Sequence, residues 1–177
     1  MMATTLCTQR LTLEPLTLAD IQAIYAIAKE RQSIEDFQYV ASSVDDVKAW
    51  LEPSYHDPTQ FVWIIRKEGH TIGLFEVCFE AEYSDLEDKV CRIGYFLDFR
   101  EHNQGYATEV LLTVRDWLFG YMDVERIEAG VTLCNIPSYR VLEKAGFTRE
   151  KIVKGNWRWY GKFYDSAYYY LLKTSTI

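Results

Sequence analysis

The sequence of 177 residues predicts a single domain of mixed α/β class in which most strands are antiparallel. Three stretches rich in β-branched and aromatic residues follow one another between Phe61 and Leu97, as consecutive antiparallel strands do. Farther along, a segment whose apolar residues have helical spacing separates two strand-like segments, which is typical of a βαβ unit. Because strands and helices do not alternate throughout, we expect a mixed sheet and not a doubly wound parallel one.

Two helices are expected near the N-terminus, after a first strand that alternates apolar and polar residues. Thr17 and Asp20 have the spacing of a capping box, which predicts that a helix starts directly after them. Ser43 and Asp46 repeat this spacing before a second, shorter helix. Residues 31–42, between the two helices, match neither a helical nor a strand period.

Turn residues delimit the remaining elements. KEGH joins two strands as a hairpin, and the polar run AEYSDLEDK precedes the third strand. Pro137 in its first turn and Gly146 at its end define the last helix. The predicted elements are a strand over Arg10–Leu16, helices from Thr17 to Glu30 and from Ser43 to before Pro53, strands over Phe61–Arg66, Thr71–Glu80 and Val90–Leu97, a helix over Gly105–Tyr121, a strand over Arg126–Leu133, a helix over Asn135–Ala145, and strands over Phe147–Lys154 and Tyr164–Leu172.

The composition predicts a soluble cytoplasmic protein that binds neither nucleic acid nor membranes. A formal net charge of −7 opposes binding to a phosphate backbone and is compatible with cationic partners such as amines. The chain has no apolar run of membrane-span length, and its first ten residues lack the apolar core of a signal peptide. Neither a metal site nor a disulfide scaffold is expected, because the four cysteines are widely spaced; they are Cys7, Cys78, Cys91 and Cys134.

The stretch from Arg92 to Tyr121 holds the first indication of a ligand. An apolar strand, a polar loop and Gly105 lead into the long helix, whose N-terminus presents free backbone N–H groups and the positive end of its dipole. Phosphate is therefore the first ligand class to consider. The loop lacks the glycines of a P-loop or a dinucleotide fingerprint, but Gly105 and Ala107 permit close approach of the backbone to a pyrophosphate.

Two blocks of the sequence resemble the Gcn5-related N-acetyltransferase (GNAT) superfamily, in particular its RimJ/RimL-like branch. GYFLDFREHNQGYATEV is similar to the acetyl-CoA pyrophosphate segment, and NIPSYRVLEKAGFTRE to the branch signature Asn-x-x-Ser-x-x-x-Leu-x-Lys-x-Gly-Phe. RLTLEPLTLAD and KFYDSAYYYLL extend the resemblance over nearly the whole chain. It implies a GNAT-like sheet with helices on both faces, splayed between the strand that ends at Leu97 and the strand that ends near Leu133, with acetyl-CoA in the splay.

The resemblance also implies roles for individual residues. The backbone of Phe96 and Leu97 pairs with the pantetheine arm of the cofactor, Asn135 hydrogen-bonds that arm, and Ser138 lies against it as the proton donor to the departing thiolate. The loop residues assigned to the pyrophosphate are His102, Asn103, Gln104, Gly105, Tyr106 and Ala107. From the residues alone, Asn135 is also a good helix N-cap, and Ser138 an ordinary first-turn helix residue.

Three positions depart from the family pattern. His102 stands where the pyrophosphate motif begins with Gln or Arg, and Leu142 where many GNAT enzymes carry a tyrosine acid. Arg92 stands where relatives commonly have a glutamate, so the base that deprotonates the acceptor amine must come from elsewhere. The candidate carboxylates are Glu76, which is assigned as the catalytic base, Asp98 and Glu128. Each is otherwise a solvated strand residue or an ion-pair partner.

The predicted function is acetyl transfer from acetyl-CoA to a primary amine, without a metal ion. The acceptor is a protein or peptide N-terminus, as in the branch, or a small amine such as a polyamine or aminoglycoside. Arg92 and His102 favour an alternative of another class, a CoA-binding interaction module without catalysis. A monomer or homodimer is expected. A group of aromatic residues lines the acceptor site or packs in the core or a dimer; they are Trp157, Trp159, Tyr160 and Phe163.

Overall fold

The computed structural model of this chain describes residues 4–30, 41–79, 89–159 and 161–174. Within them, eight strands form one sheet on which four α-helices pack. The strands are β1 (Leu6–Cys7), β2 (Thr12–Pro15), β3 (Gln60–Lys67), β4 (His70–Cys78), β5 (Val90–Leu97), β6 (Arg126–Thr132), β7 (Thr148–Trp159) and β8 (Lys162–Leu172). The helices are α1 (Ile21–Ala28), α2 (Val44–Leu51), α3 (Tyr106–Gly120) and α4 (Ile136–Lys144).

The strand order of the sheet is β1-β2-β3-β4-β5-β6-β8-β7. Each pairing is antiparallel except that of β5 with β6, and this confirms the parallel pair that the βαβ pattern predicts. The parallel pairing extends only from Val90 opposite Arg126 to Arg92 opposite Glu128. Beyond Arg92, β5 pairs with β4 alone and β6 with β8 alone. The sheet is therefore splayed between β5 and β6, as the family resemblance implies.

Helices cover both faces of the sheet because successive strand residues point to opposite sides. Val62 and Leu74 pack in one buried cluster with α1 and α2. Trp63 and Phe75, one residue farther along β3 and β4, pack in a second cluster with α3 and α4. The predicted mixed α/β class, with a mostly antiparallel sheet and helices on both faces, is confirmed.

The first predicted strand is shorter in the structure, and β1 was not predicted, because its two residues are too few to show a strand period. Pro15 is the last residue of β2, so the interpretation of a short strand closed by this proline is confirmed. The N–H of Leu16 donates to the carbonyl of Val62 on β3 at 3.0 Å, so the nitrogen of Pro15 points to the other edge of β2. There β1 pairs only with Thr12 and Leu13, and no N–H is needed at Pro15.

The last hairpin is longer than predicted. The predicted strands stop at Lys154 and resume at Tyr164, whereas β7 continues to Trp159 and β8 begins at Lys162. A register shift between Val153 and Trp157 absorbs extra residues, and the N–H of Gly155 within it donates to the Asp165 carboxylate at 2.9 Å. Residues 31–40 and 80–88, which hold most of the unassigned segment and of the polar run, lie outside the described residues, as does Tyr160.

Both predicted capping boxes are present. The Asp20 carboxylate accepts from the N–H of Thr17 at 2.9 Å and starts a 3-10 turn that continues into α1. Ser43 Oγ accepts from the N–H of Asp46 at 3.1 Å at the start of α2. The first helix ends at Ala28 instead of Glu30. Across the parts of the chain that are described, no helix combines the length and apolar character that crossing a membrane requires.

Candidate active site

A cleft of about 310 Å³ lies where β5 and β6 part. The end of β5, the turn into α3 and one side of α4 form its walls. Its lining residues are Tyr95, Phe96, Leu97, Glu101, His102, Asn103, Gly105, Tyr106, Ala107, Thr108, Asn135, Ile136, Pro137, Ser138, Arg140, Val141 and Lys144. Every residue that the sequence assigns to the cofactor is among them except Gln104, whose neighbours Asn103 and Gly105 both line the cleft.

The turn before α3 exposes backbone N–H groups to the cleft. Gly105 is the N-cap of α3 and has φ +81°, a left-handed conformation that glycine adopts without strain. Asn103 is also left-handed, with φ +60°, which asparagine tolerates better than most residues. Because no side chain caps the first turn of α3, its N–H groups remain available, and they lie at the positive end of the helix dipole. This arrangement suits an anionic ligand such as a pyrophosphate.

The end of β5 presents the backbone of Leu97 to the cleft. The N–H of Asp98 donates to the carbonyl of Ile72 on β4 at 2.7 Å, so the N–H and carbonyl of Leu97, one residue earlier, point away from β4. The His102 Nε2 lies 3.2 Å from the Leu97 carbonyl oxygen and donates to it when that nitrogen carries the proton. The Phe96 carbonyl points to β4, since it would meet a Cβ on Gly73 at 2.2 Å. Of the two predicted backbone partners, Leu97 therefore faces the cleft, whereas the Phe96 carbonyl does not.

The first turn of α4 brings the side chains of Asn135 and Ser138 to the opposite wall. Asn135 Oδ1 accepts from the N–H of Ser138 at 3.1 Å, so the N-cap interpretation is confirmed. The hydroxyl of Tyr95 lies 3.4 Å from Ser138 Oγ and 3.3 Å from the Ser138 carbonyl oxygen. Burial raises the pKa of Tyr95 to about 12, so its hydroxyl stays protonated at neutral pH.

Tyr95, Arg140 and Lys144 are cleft residues that were not predicted from the sequence. Arg140 and Lys144 are four residues apart on α4, so they lie on the same face of the helix and place two cations along one wall. This spacing, in the helix that also carries Ser138, could have identified the two cations from the sequence. Tyr95 gave no such signal, because its contact with Ser138 joins residues 43 positions apart in the sequence.

None of the three candidate base carboxylates lines the cleft. The Glu76 carboxylate folds over β5, where its Oε1 would lie 2.5 Å from a Cβ on Gly94, and burial raises its pKa. Burial also raises the pKa of Asp98, but hydrogen bonds from Arg100 outweigh this and lower it, and the two side chains form an ion pair at 2.6 Å.

Glu128 accepts from Arg126 at 2.7 Å. It lies opposite Arg92 and Tyr170 on the neighbouring strands, where β5 and β6 are still paired. Burial favours proton uptake by Glu76, whereas the hydrogen bonds from Arg100 oppose proton uptake by Asp98.

The aromatic residues near the C-terminus belong to the β7–β8 hairpin and not to the cleft. Trp157 pairs with Tyr164 in the ladder, and Arg158 pairs with Phe163. Phe163 is 69% exposed and Trp157 is 45% exposed, so neither of them packs in the core of this chain. Leu142, at the position where many GNAT enzymes carry a tyrosine acid, is buried in the core.

Known proteins resemble this chain in sequence and in fold. A sequence model of the family described as "Acetyltransferase (GNAT) domain" matches residues 10–148. The uncharacterized N-acetyltransferase YnaD of Bacillus subtilis (strain 168) is 30% identical over an alignment of 172 residues, and the match covers 94% of this chain and 95% of that protein.

Two solved structures share the fold over nearly the whole chain. The acetyl transferase from Salmonella typhimurium that modifies the N-terminal serine of 50S ribosomal subunit protein L7/L12 has a TM-score of 0.84 at 17% identity, covering 97% of this chain and 100% of that one. Spermidine N-acetyltransferase from Vibrio cholerae, in complex with CoA and spermine, has a TM-score of 0.79 at 19% identity, covering 92% of this chain and 95% of that one. At these identities the likeness is one of fold.

Proposed function

This chain belongs to the GNAT acetyltransferase family, and on that premise we propose that it acetylates the N-terminal α-amine of a protein or peptide. It is an N-acetyltransferase, and acetyl-CoA is its acyl donor. The observation that carries the proposal of acetyl-CoA binding at this site is the cleft between β5 and β6, where a left-handed turn at a helix N-terminus faces two cations on α4. These groups fit the anionic phosphates of acetyl-CoA, with the N–H groups from Asn103 to Ala107, Arg140 and Lys144 as the residues that hold them.

Leu97 and Ser138 are the residues proposed to act on the reacting group. Acetyl-CoA supplies an acetyl group activated as a thioester, which an amine attacks directly in a ternary complex. The N–H of Leu97 points to the cleft and is the donor proposed to polarise the carbonyl under attack. The hydroxyl of Ser138 is proposed to hydrogen-bond the departing sulfur, whose thiol has a pKa of about 8.5 and is a fair leaving group unaided.

Glu76 is proposed as the base that takes the ammonium proton of the acceptor. Its carboxylate lies over Gly94, two residues beyond the last paired position of β5 with β6. It belongs to the face of the sheet that carries α1 and α2, because it lies opposite Val62 in the ladder. An acceptor amine that enters from that face passes Glu76, and the raised pKa of Glu76 favours proton uptake.

The environment of the three candidate base carboxylates favours an α-amine as acceptor. An N-terminal α-amine has a pKa of about 7.7–8.0, so roughly a tenth of it is neutral at pH 7. An alkylamine with the pKa of about 10.4 that lysine has is neutral to less than about one part in a thousand. Asp98 and Glu128 are engaged by arginines, and Glu76 is outside the cleft lining. Such a site acts more readily on an amine that is partly neutral already.

A polyamine is the second candidate acceptor. The net charge of −7 attracts cations, and a spermidine N-acetyltransferase shares the fold. This candidate needs a stronger base than the first, because each of its amines is almost fully protonated at neutral pH.

The experiment is mass spectrometry of products after incubation of the purified chain with acetyl-CoA. Three acceptors are compared: a peptide with a free N-terminus and one lysine, the same peptide with a blocked N-terminus, and spermidine. One acetyl group on the free peptide and none on the blocked peptide supports the proposal. Modification of spermidine alone supports the polyamine alternative. Acetylation of the blocked peptide contradicts the proposal. The proposal is also contradicted if none of the three acceptors is acetylated.

A further inference from the structure

A carboxylate stands beside the proposed phosphate cradle. Glu101 lines the cleft directly before His102 and Asn103, the residues that open the turn into α3. An unpaired carboxylate at this place repels an anionic cofactor, since like charges a few ångströms apart oppose each other in a partly buried site. The cradle therefore needs a cation that offsets Glu101.

Lys67 supplies that cation from another strand. It is the last residue of β3, and its Nζ lies 2.9 Å from Glu101 Oε2. Strands β3 and β5 run in the same direction, because each is antiparallel to β4, so Lys67 and the cleft lie at the same edge of the sheet. The hydrogen bond to Glu101, followed by one to Tyr106, raises the pKa of Lys67, so the ammonium group stays charged at neutral pH.

A second pair of opposite charges completes the arrangement around Tyr106, the buried first residue of α3. The Lys67 Nζ lies 5.2 Å from the centroid of the Tyr106 ring, and the Arg10 Cζ lies 4.4 Å from it. Arg10 in turn forms an ion pair with Glu109 at 2.6 Å. Glu101 and Glu109 are thus each paired with a cation, and both cations contact the ring of Tyr106, from which α3 starts.

We infer that Lys67 determines the affinity for acetyl-CoA by neutralising Glu101, so that this carboxylate in the cleft lining does not repel the cofactor phosphates. This inference rests on the proposed phosphate cradle at Asn103 to Ala107. Lys67 acts through Glu101 and is therefore a positioning residue, not a catalytic one. The pairing of these two side chains makes a sharp prediction: loss of the cation weakens binding, whereas loss of the acid does not.

The test is calorimetric titration of CoA into four proteins: wild type, Lys67→Met, Glu101→Gln and the double variant. Lys67→Met is expected to weaken CoA binding about tenfold at low salt and less at high salt, because the repulsion it exposes is screened. Glu101→Gln is expected to bind as tightly as wild type or more tightly, and in the double variant it is expected to restore wild-type affinity. Rescue of one substitution by the other is not expected of a merely structural role.

Two controls separate charge from folding. Lys173→Met removes a lysine that pairs with Asp123 next to the start of β6, and it is expected to leave CoA affinity unchanged. Pantetheine, which lacks the phosphates, is expected to bind wild type and Lys67→Met with the same affinity. Thermal unfolding of each variant verifies that it is folded, since a partly exposed ion pair contributes little to stability.

The inference is overturned if Lys67→Met binds CoA like wild type, or if Glu101→Gln weakens binding as much as Lys67→Met does. Equal weakening shows that the pair only orders the turn. If wild type itself does not bind CoA, the phosphate cradle is wrong and the inference fails with it. If wild type binds CoA and all the variants have the same affinity for it, only the role of Lys67 is rejected, and not the phosphate cradle.

Discussion

The hydroxyl of Tyr95 lies 3.4 Å from Ser138 Oγ and thereby joins β5 to the first turn of α4 across the cleft. The Tyr95 ring stacks on Phe75 with centroids 5.7 Å apart, which fixes the direction of the hydroxyl. On the other side, Asn135 accepts from the N–H of Ser138 at 3.1 Å. Ser138 is thus held by Tyr95 from β5 and by Asn135 at the start of its own helix. Such preorganisation is what a hydrogen-bond donor to a departing sulfur requires.

Substitution of Tyr95 by phenylalanine is expected to lower kcat about tenfold, which corresponds to roughly 1.4 kcal/mol and to the loss of one positioning hydrogen bond. KM for acetyl-CoA is expected to change little, because the cradle is intact. Steady-state kinetics of Tyr95→Phe, Ser138→Ala and the double variant check this. Since Tyr95 acts through Ser138, the double variant is expected to match Ser138→Ala. Fully additive losses would show that Tyr95 acts independently of Ser138.

Substitution of Gly105 by alanine is expected to lower the free energy of unfolding by about 1–2 kcal/mol, because an L-residue is strained at φ +81°. It is also expected to weaken CoA binding, since relief of the strain shifts the N–H groups of the turn. The matched control is Gly120→Ala at the end of α3, where an added Cβ meets no atom within 4 Å and alanine is expected to be neutral or stabilising. Denaturant unfolding and calorimetry measure both variants. Equal effects at the two glycines would contradict the prediction.

Substitution of Arg140 or Lys144 by glutamine is expected to weaken CoA binding by about five- to tenfold each, because each removes one cation from the cleft wall that is proposed to face the cofactor phosphates. The slope of log affinity against log salt is expected to become shallower. Lys154→Gln, at an exposed position of β7, is the control and is expected to have no effect. Titrations at several salt concentrations make this comparison. A salt dependence identical to that of wild type in both variants would reject the assignment.

Substitution of Glu76 by glutamine is expected to increase stability at neutral pH and to lower kcat. Burial raises the pKa of Glu76 above its unfolded value, so its favourable contribution is fully present below the unfolded pKa of about 4.3. That contribution is lost as the pH rises through the folded pKa. Wild type is therefore expected to lose stability relative to Glu76→Gln over this interval, as measured by denaturant unfolding at each pH.

The activity of the same variant tests the role of Glu76 as base. The acidic limb of the pH profile of kcat is expected to disappear in Glu76→Gln, with Glu128→Gln as the matched control that retains it. An unchanged kcat in Glu76→Gln would leave water as the proton acceptor and would remove Glu76 from the mechanism.

The turn into α3 was predictable because its signals are local. A glycine before an amphipathic helix and a recognisable neighbouring block suffice, and the structure places His102 to Ala107 around the cleft with the exception of Gln104. The capping residues Thr17 and Ser43 were predictable for the same reason, since a capping box spans only four residues. The bounds of the last hairpin were not predictable, because the shift between Val153 and Trp157 follows no sequence period.

The sequence by itself determined the class of the fold, the family and the place of the proposed phosphate cradle, since each depends on residues close together in the chain. Only the tertiary structure decided that Tyr95 meets Ser138, that Lys67 pairs with Glu101, and that Glu76 lies over Gly94 instead of lining the cleft. The physical reason is strand register. Sheet pairing brings together residues far apart in the chain and assigns each side chain to one face of the sheet, and a shift of one residue would reverse that assignment.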